Sequence, residues 1–356
     1  MIKSLSLSNV GPFKQMDLSF GSRLNVLTGD NGLGKSFFLD LIWFAMTREW
    51  PQSVNPTLMS GFVARPSSPK TKSAITAVIR VDHQEAKVIT RFSADIDRWV
   101  FNQSKTVSPG LVFYLMADGS FAVWDSERNH ASRNGNELST AFVFSHREVF
   151  NGLSGKGDTK LCNGLITDWA MWSDSFSYAP LLAQQMDAVL KVLSPIGACY
   201  QVGVPRRVCV SDARRVPTIK MPYGEEDSEG SEVPATQASS GIKRIVALAY
   251  MLTWAVNEHA EVVKRKGKDM ERRVTLLVDD VDSHLNPRWQ ASIVSSILEA
   301  IEVLYKKLGS SVRTQLFMTT HSPIVLASLK DSFDPTMDKR FALYLKEGAV
   351  SVRDGA

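Results

Sequence analysis

Apolar and polar residues alternate at 4–8 (SLSLS) and again at 17–20 (DLSF), and a period of two marks half-buried strands. A third apolar stretch, 24–28 (LNVLT), runs straight into a glycine-rich loop at Gly29, after which 37–46 carries the spacing of a helix. The pattern changes over 73–125, where AITAVIRV, AKVITRF, LVFYLMA and FAVWD predict antiparallel strands, with Asp118-Gly119 as a hairpin turn between the last two. Residues 165–193 return to helical spacing, with Leu181, Leu182, Met186, Val189, Leu190 and Leu193 able to share one face. The stretch 224–232 (GEEDSEGSE) is acidic, small and aperiodic, which predicts a flexible loop. Beyond it helix and strand alternate: helix 241–256, strand 274–278, helix 288–307, strand 314–318.

The two ends, 1–50 and 236–356, are therefore expected to share one α/β core, with 51–235 inserted as a lobe that is β-rich over 73–125 and helical over 165–193. No heptad run is long enough for a coiled-coil arm, and no fixed-period repeat is found. With 356 residues, 44% hydrophobic and 22% charged, the chain has globular composition and can bury a large core. The opening MIKSLSLSNV lacks the apolar core of a secretory signal, and no stretch approaches the ~20 apolar residues of a membrane helix. A cytoplasmic location and no membrane partner are expected. Cys162, Cys199 and Cys209 are odd in number and lack CxxC spacing, which supports neither a disulfide framework nor a zinc site. A net charge of +4 is compatible with nucleic-acid contact but decides nothing. The basic run Lys264-Arg265-Lys266-Gly267-Lys268, with Arg272 and Arg273, reads either as a phosphate contact or as a solvated loop.

Chemistry concentrates in four motifs. Gly29-Asp30-Asn31-Gly32-Leu33-Gly34-Lys35-Ser36 fits GxxxxGK[ST] between a strand and a helix that Phe37 enters. Such a loop wraps phosphates with backbone N–H groups, Lys35 reaches the β and γ phosphates of ATP, and Ser36 ligates Mg²⁺. The apolar run 274–278 ends in Asp279, suited to the same Mg²⁺, and Asp280, suited to act as base for the attacking water. His321 follows another apolar strand and falls at its carboxyl end, where ligands gather in open α/β sheets. Ser239, Ser240 and Gly241 open a helix with N–H groups at its positive end; from the residues alone this is either a phosphate contact or a plain N-cap.

In this order, the phosphate loop, the ASSG helix start, the VDD strand and the THS turn resemble the ABC ATPases of the SMC, RecF and OLD group. The opening LSLSNVGPFKQMDLSFGSRLNVLTGDNGLGKS looks like that group's N-terminal lobe, and VDDVDSHLNPRWQ with MTTHSPIVLAS like its C-terminal half. The resemblance implies an α/β P-loop head of the ABC type, a mixed sheet core with flanking helices. It also implies a head-to-tail dimer, in which Ser239, Ser240 and Gly241 cap the nucleotide held by the partner and the loop from Ser283 to Asn286 crosses the interface. Four departures bear on this. ASSG replaces the usual LSGG or LSDG, Asp280 replaces the usual glutamate, and Asn286 replaces the usual aspartate. No Q-loop glutamine is found, and VFSHREVFNGL offers only His146 or Glu148 in its place. A carboxylate one methylene short predicts slow hydrolysis.

The chain has no room for long coiled-coil arms and stops soon after His321, so any nuclease is expected on a separate polypeptide. Compact heads with the HLNPRWQ and THSP wording resemble those of bacterial defence modules. The leading expectation is a dimeric regulatory ATPase of an anti-phage or toxin–antitoxin-like module, controlling a partner nuclease or toxin. The alternative is a RecF-like repair protein that clamps DNA in an ATP-dependent way. A transporter's nucleotide-binding subunit is disfavoured by the β-rich insertion and the missing glutamine.

Overall fold

A computed structural model describes residues 1–356 except 69, 82–83, 103–106, 130–139, 174–179, 196–197, 199, 222–231 and 356. Apart from Glu232, the acidic stretch 224–232 lies outside the described residues.

Two large sheets organise the chain. Strands β1 (Ile2–Val10), β2 (Phe13–Ser19), β4 (Ala74–Val81), β5 (Gln84–Ser93) and β6 (Arg98–Phe101) form an antiparallel sheet in the order β2-β1-β4-β5-β6. Burial in β4 alternates residue by residue, as a strand covered on one face requires. The second sheet has eight strands in the order β20-β19-β3-β18-β17-β7-β8-β9, using β3 (Leu24–Thr28), β7 (Leu111–Leu115), β8 (Phe121–Asp125), β9 (Phe142–Phe144), β17 (Arg273–Val278), β18 (Arg313–Thr319), β19 (Lys339–Lys346) and β20 (Ala349–Gly355). Five of these, β19, β3, β18, β17 and β7, run parallel. The two ends of the chain interleave, because β3 lies between β18 and β19.

This sheet divides the interior into two cores. Leu276, Leu316, Val26 and Phe113 face one side, where α4 (Leu165–Trp172), α5 (Pro180–Leu193), α6 (Ser240–Arg265) and α8 (Ile293–Lys307) pack. Their neighbours Leu277, Phe317, Leu27 and Val112 face the other, against α1 (Lys35–Thr47) and the smaller sheet. Each such Leu or Phe, fully buried, contributes roughly 2–3 kcal/mol. Short helices α2 (Pro51–Val54), α3 (His146–Asn151), α7 (Pro287–Gln290) and α9 (Pro323–Ser328) join the larger elements. Small pairings involve β10 (Leu153–Ser154) with β11 (Lys160–Cys162), β12 (Gln201–Val202) with β15 (Thr218–Lys220) and β16 (Glu232–Pro234), and β13 (Arg206–Arg207) with β14 (Arg215–Val216). Among the described residues, no helix is long and apolar enough to cross a membrane.

The strands expected together in a β-rich insertion over 73–125 do not stay together. β4, β5 and β6 extend the N-terminal strands, whereas β7, β8 and β9 extend the core sheet, with Phe113 of β7 in parallel register with Leu276 of β17. The expected inserted lobe 51–235 is thus divided. The reason lies in the side chains: LVFYL has no polar alternation and is buried at every position, so it fits only where both faces of a sheet are covered. Gly110 makes the approach possible. It sits at φ +85°, and a Cβ there would stand 2.4 Å from the carbonyl oxygen of Arg273. The Asp118-Gly119 turn does join β7 and β8 as an antiparallel hairpin. The helix expected over 241–256 continues to Arg265, and the one expected over 288–307 is broken between α7 and α8.

Candidate functional site

The carboxyl ends of β3, β17 and β18 converge, and each delivers one of the motifs. The phosphate loop leaves β3 at Thr28 and enters α1 at Lys35, with Gly29, Gly32 and Gly34 all at positive φ. Lys35 is buried, and its Nζ donates to the carbonyls of Gly29 at 2.9 Å and Asp30 at 3.0 Å. Burial lowers its pKa, against the pull of Asp280, Asp279, Asp30 and Asp282, so the ammonium sits in the field of four carboxylates. Both of its hydrogen bonds go to loop carbonyls, which an anion can displace.

Asp279 is fixed from three sides. Thr319 Oγ1 donates to its Oδ1 at 2.7 Å, its backbone N–H donates to the Leu115 carbonyl at 2.9 Å, and the Ser36 hydroxyl donates to its carboxylate. Burial pushes its pKa up, and the bonds from Thr319 and Ser36 oppose that. The same Thr319 oxygen accepts the N–H of Asp280 at 2.7 Å, so one hydroxyl spaces both aspartates. Asp280 sits at φ +45°, a left-handed backbone that costs a non-glycine residue about 1–3 kcal/mol. A hydroxyl beside a carboxylate is an oxygen donor set that suits magnesium completed by phosphate oxygens and water.

Beneath this pair lies a carboxyl that sequence reasoning did not find. Asp40, on the inner face of α1, accepts from the Tyr114 hydroxyl at 2.9 Å, and that hydroxyl is also 3.4 Å from the Ser36 carbonyl. Burial pushes the Asp40 pKa up to about 8, which keeps its proton at neutral pH.

The ASSG turn starts α6. Ser239 is its N-cap, accepting the Ile242 N–H at 3.5 Å, and both Ser239 and Ser240 are exposed. Gly241 is buried, and a Cβ there would stand 2.4 Å from the carbonyl oxygen of His284. One turn on, Arg244 is 8% exposed and directed beneath the VDD turn. Its Nη2 donates to the carbonyls of Asp279 at 2.5 Å and Asp280 at 3.3 Å, and its Nη1 to those of Ala117 at 2.9 Å and Met116 at 3.3 Å. This arginine was also missed, and only its position one turn inward from Ser240 hinted at it.

The THS turn joins the same end. Thr320 Oγ1 donates to Asp282, the His321 N–H donates to that carboxylate at 3.4 Å, and the His321 side chain is exposed. Ser322 caps α9 through the N–H groups of Ile324 and Val325. Asn286, expected in a loop that crosses an interface, caps α7 by accepting the Trp289 N–H at 3.1 Å. Of the two Q-loop candidates, Glu148 is engaged in a capping box with Ser145 and accepts from Asn55 at 2.7 Å. His146 is exposed, stacks on Phe150 and lies beside Gly119. In the basic run, Lys266 and Lys268 both bond to Glu127, which gives those two lysines a structural use.

Residues 4–138 match a family described as an AAA domain, and residues 221–327 match one described as "AAA domain, putative AbiEii toxin, Type IV TA system". The Septu protein PtuA of Bacillus mycoides (strain KBAB4) is 30% identical over 93 residues, which span 26% of this chain and only 11% of that protein. Among solved structures, an SMC head bound to the C-winged helix domain of ScpA overlies this fold with a TM-score of 0.52 at 14% identity, covering 100% of this chain and 98% of that one. The SMC head domain from Thermotoga maritima gives a TM-score of 0.45 at 14% identity, covering 100% of this chain and 99% of that one.

Proposed function

We propose that this chain, an AAA-type ATPase with the fold of an SMC head, binds Mg·ATP between two copies arranged head to tail and hydrolyses it slowly. We further propose that it is the regulatory subunit of an anti-phage defence module and controls a separate nuclease or toxin. The observation that carries the nucleotide reading is Lys35, held at the mouth of a glycine loop in the field of Asp279, Asp280 and Asp282 while its hydrogen bonds go only to displaceable loop carbonyls.

In this reading the N–H groups of residues 29–36, with Phe37 behind them, wrap the phosphates, and Lys35 bonds the β and γ groups. Ser36 and Asp279 hold magnesium, which neutralises charge on the phosphate oxygens. Asp280 would orient the attacking water, and the exposed His321 would be available to the γ-phosphate. The shorter carboxylate and left-handed backbone of Asp280 support slow turnover. Exposure of Ser239 and Ser240 at a positive helix end supports their use by a second copy, as a cap on its nucleotide. The defence role is supported by the likeness to a Septu protein and by the toxin named in the matching family's description.

The test is mass in solution with and without Mg·ATP. The Asp280→Asn variant at tens of micromolar should be a dimer with ATP and a monomer without it, and a monomer under both conditions would refute the shared site. Lys35→Ala should lose nucleotide affinity, and retention of full affinity would refute the phosphate site. ATP-dependent, salt-sensitive DNA affinity of the purified chain would move the reading to a repair clamp.

A further inference from the structure

The two sides of the ASSG signature turn, Ala238 to Gly241, touch different things. Its serines face solvent, where the proposed partner's nucleotide would lie, and its inner side meets its own chain at two points, the VDD turn and the His284 carbonyl beyond it. The first grip is Arg244, whose guanidinium spans four carbonyls on two segments: Met116 and Ala117 after β7, and Asp279 and Asp280 after β17. The second is Gly241, whose missing side chain lets the His284 carbonyl approach. His284 and Asp280 are both left-handed, at φ +61° and +45°, so both points of contact fall on sparsely populated backbone.

We propose that Arg244 is a positioning residue that couples the two ATP sites, setting the water-orienting Asp280 of its own site according to whether the signature turn has engaged the partner's nucleotide. The inference rests on the two-copy reading above. A buried guanidinium that shares its donors among four carbonyls transmits a displacement of the first turn of α6 to the aspartate backbone. A change of about 1 Å in a group that orients water can alter turnover on the order of 100-fold. Because the phosphate loop makes none of these contacts, affinity of the isolated chain for nucleotide without magnesium is left intact, and that is the affinity compared below.

The experiment uses the full chain as wild type, Arg244→Met, Arg244→Lys and Gly241→Ala. Affinity for a fluorescent ATP analogue is measured without magnesium at low protein concentration, and kcat, KM and the Hill coefficient with magnesium at concentrations where the wild type dimerises. Arg244→Met should keep its affinity within about twofold, lose about 10- to 100-fold in kcat, and fall from a Hill coefficient above one to one. Arg244→Lys, which keeps the charge but not the fork, should lie between. Gly241→Ala, which disturbs the cap itself, should lose kcat with Arg244 intact, and Arg244→Lys carries the test of Arg244 if the Met variant does not fold. Variants that lose thermal stability but retain wild-type kcat and Hill coefficient would reduce Arg244 to a structural brace and overturn the inference. A wild type that stays monomeric with ATP would overturn the two-copy reading, and the coupling with it.

Discussion

Asp40 offers the sharpest test of the electrostatics under the site. Its carboxyl is buried and accepts one hydrogen bond from Tyr114, and its pKa is pushed up to about 8 from an ordinary value of 3.8. A carboxyl that holds its proton in the folded chain and releases it in the unfolded chain favours folding most at low pH. Its contribution then declines as pH rises from 3.8 to about 8 and is flat above that. The loss is about 1.4 kcal/mol for each pH unit crossed, or roughly 4 kcal/mol by pH 7. Asp40→Asn keeps the shape and the acceptor for Tyr114 but does not titrate. Its stability relative to the wild type should therefore improve by several kcal/mol between pH 5 and pH 8. Urea denaturation of the nucleotide-free proteins at both pH values measures this, and every other titrating group cancels in the comparison. A stability difference that is the same at pH 5 and pH 8, within about 1 kcal/mol, would mean that Asp40 is ionised in the fold and the reasoning is wrong.

Asp280→Glu places the carboxylate one methylene further out and should raise kcat severalfold while leaving nucleotide affinity unchanged, as read by phosphate release. Cys162 is buried, with its thiol pushed up to about 12, whereas Cys209 is exposed and its pKa is lowered by bonds from Ser211 and Asp212. Brief alkylation of the native protein at pH 7.5, followed by peptide mass spectrometry, should label Cys209 and spare Cys162. Gly110→Ala must fit a Cβ 2.4 Å from the Arg273 carbonyl at a left-handed φ. It should cost about 2–4 kcal/mol of unfolding free energy, and wild-type stability would contradict the parallel pairing of β7 with β17.

The phosphate loop and the VDD strand were legible because their chemistry is local: glycines, a lysine and adjacent acids, in fixed spacing beside apolar runs. The Asp118-Gly119 turn was legible for the same reason, since a hairpin is written in its own four residues. What the turn does not encode is the neighbour on the far side of β7. That is decided by whether LVFYL can be covered on both faces, and the strand it pairs with there, β17, lies some 160 positions downstream. Arg244 was missed for a related reason: its partners are backbone carbonyls, which every residue carries, so no pattern of side chains announces them. Asp40 carries no motif of its own within the helix expected over 37–46, and only the tertiary contact with Tyr114 gives it a role. The Q-loop candidates divided once Glu148 was found in a capping box, a signature present in the spacing of Ser145 and Glu148 that sequence reading had passed over.

The position of β3 in the middle of the core sheet has a consequence for how the chain is made. Its two neighbours are β18 and β19, and the bond from Thr28 to the Phe341 carbonyl spans 313 positions. At about 5–20 residues per second, a ribosome needs tens of seconds between making the phosphate loop and making the strands that hold it. Over that interval the emerging loop has no sheet to anchor it. The phosphate loop can therefore take the geometry described above only after both flanking strands have been made.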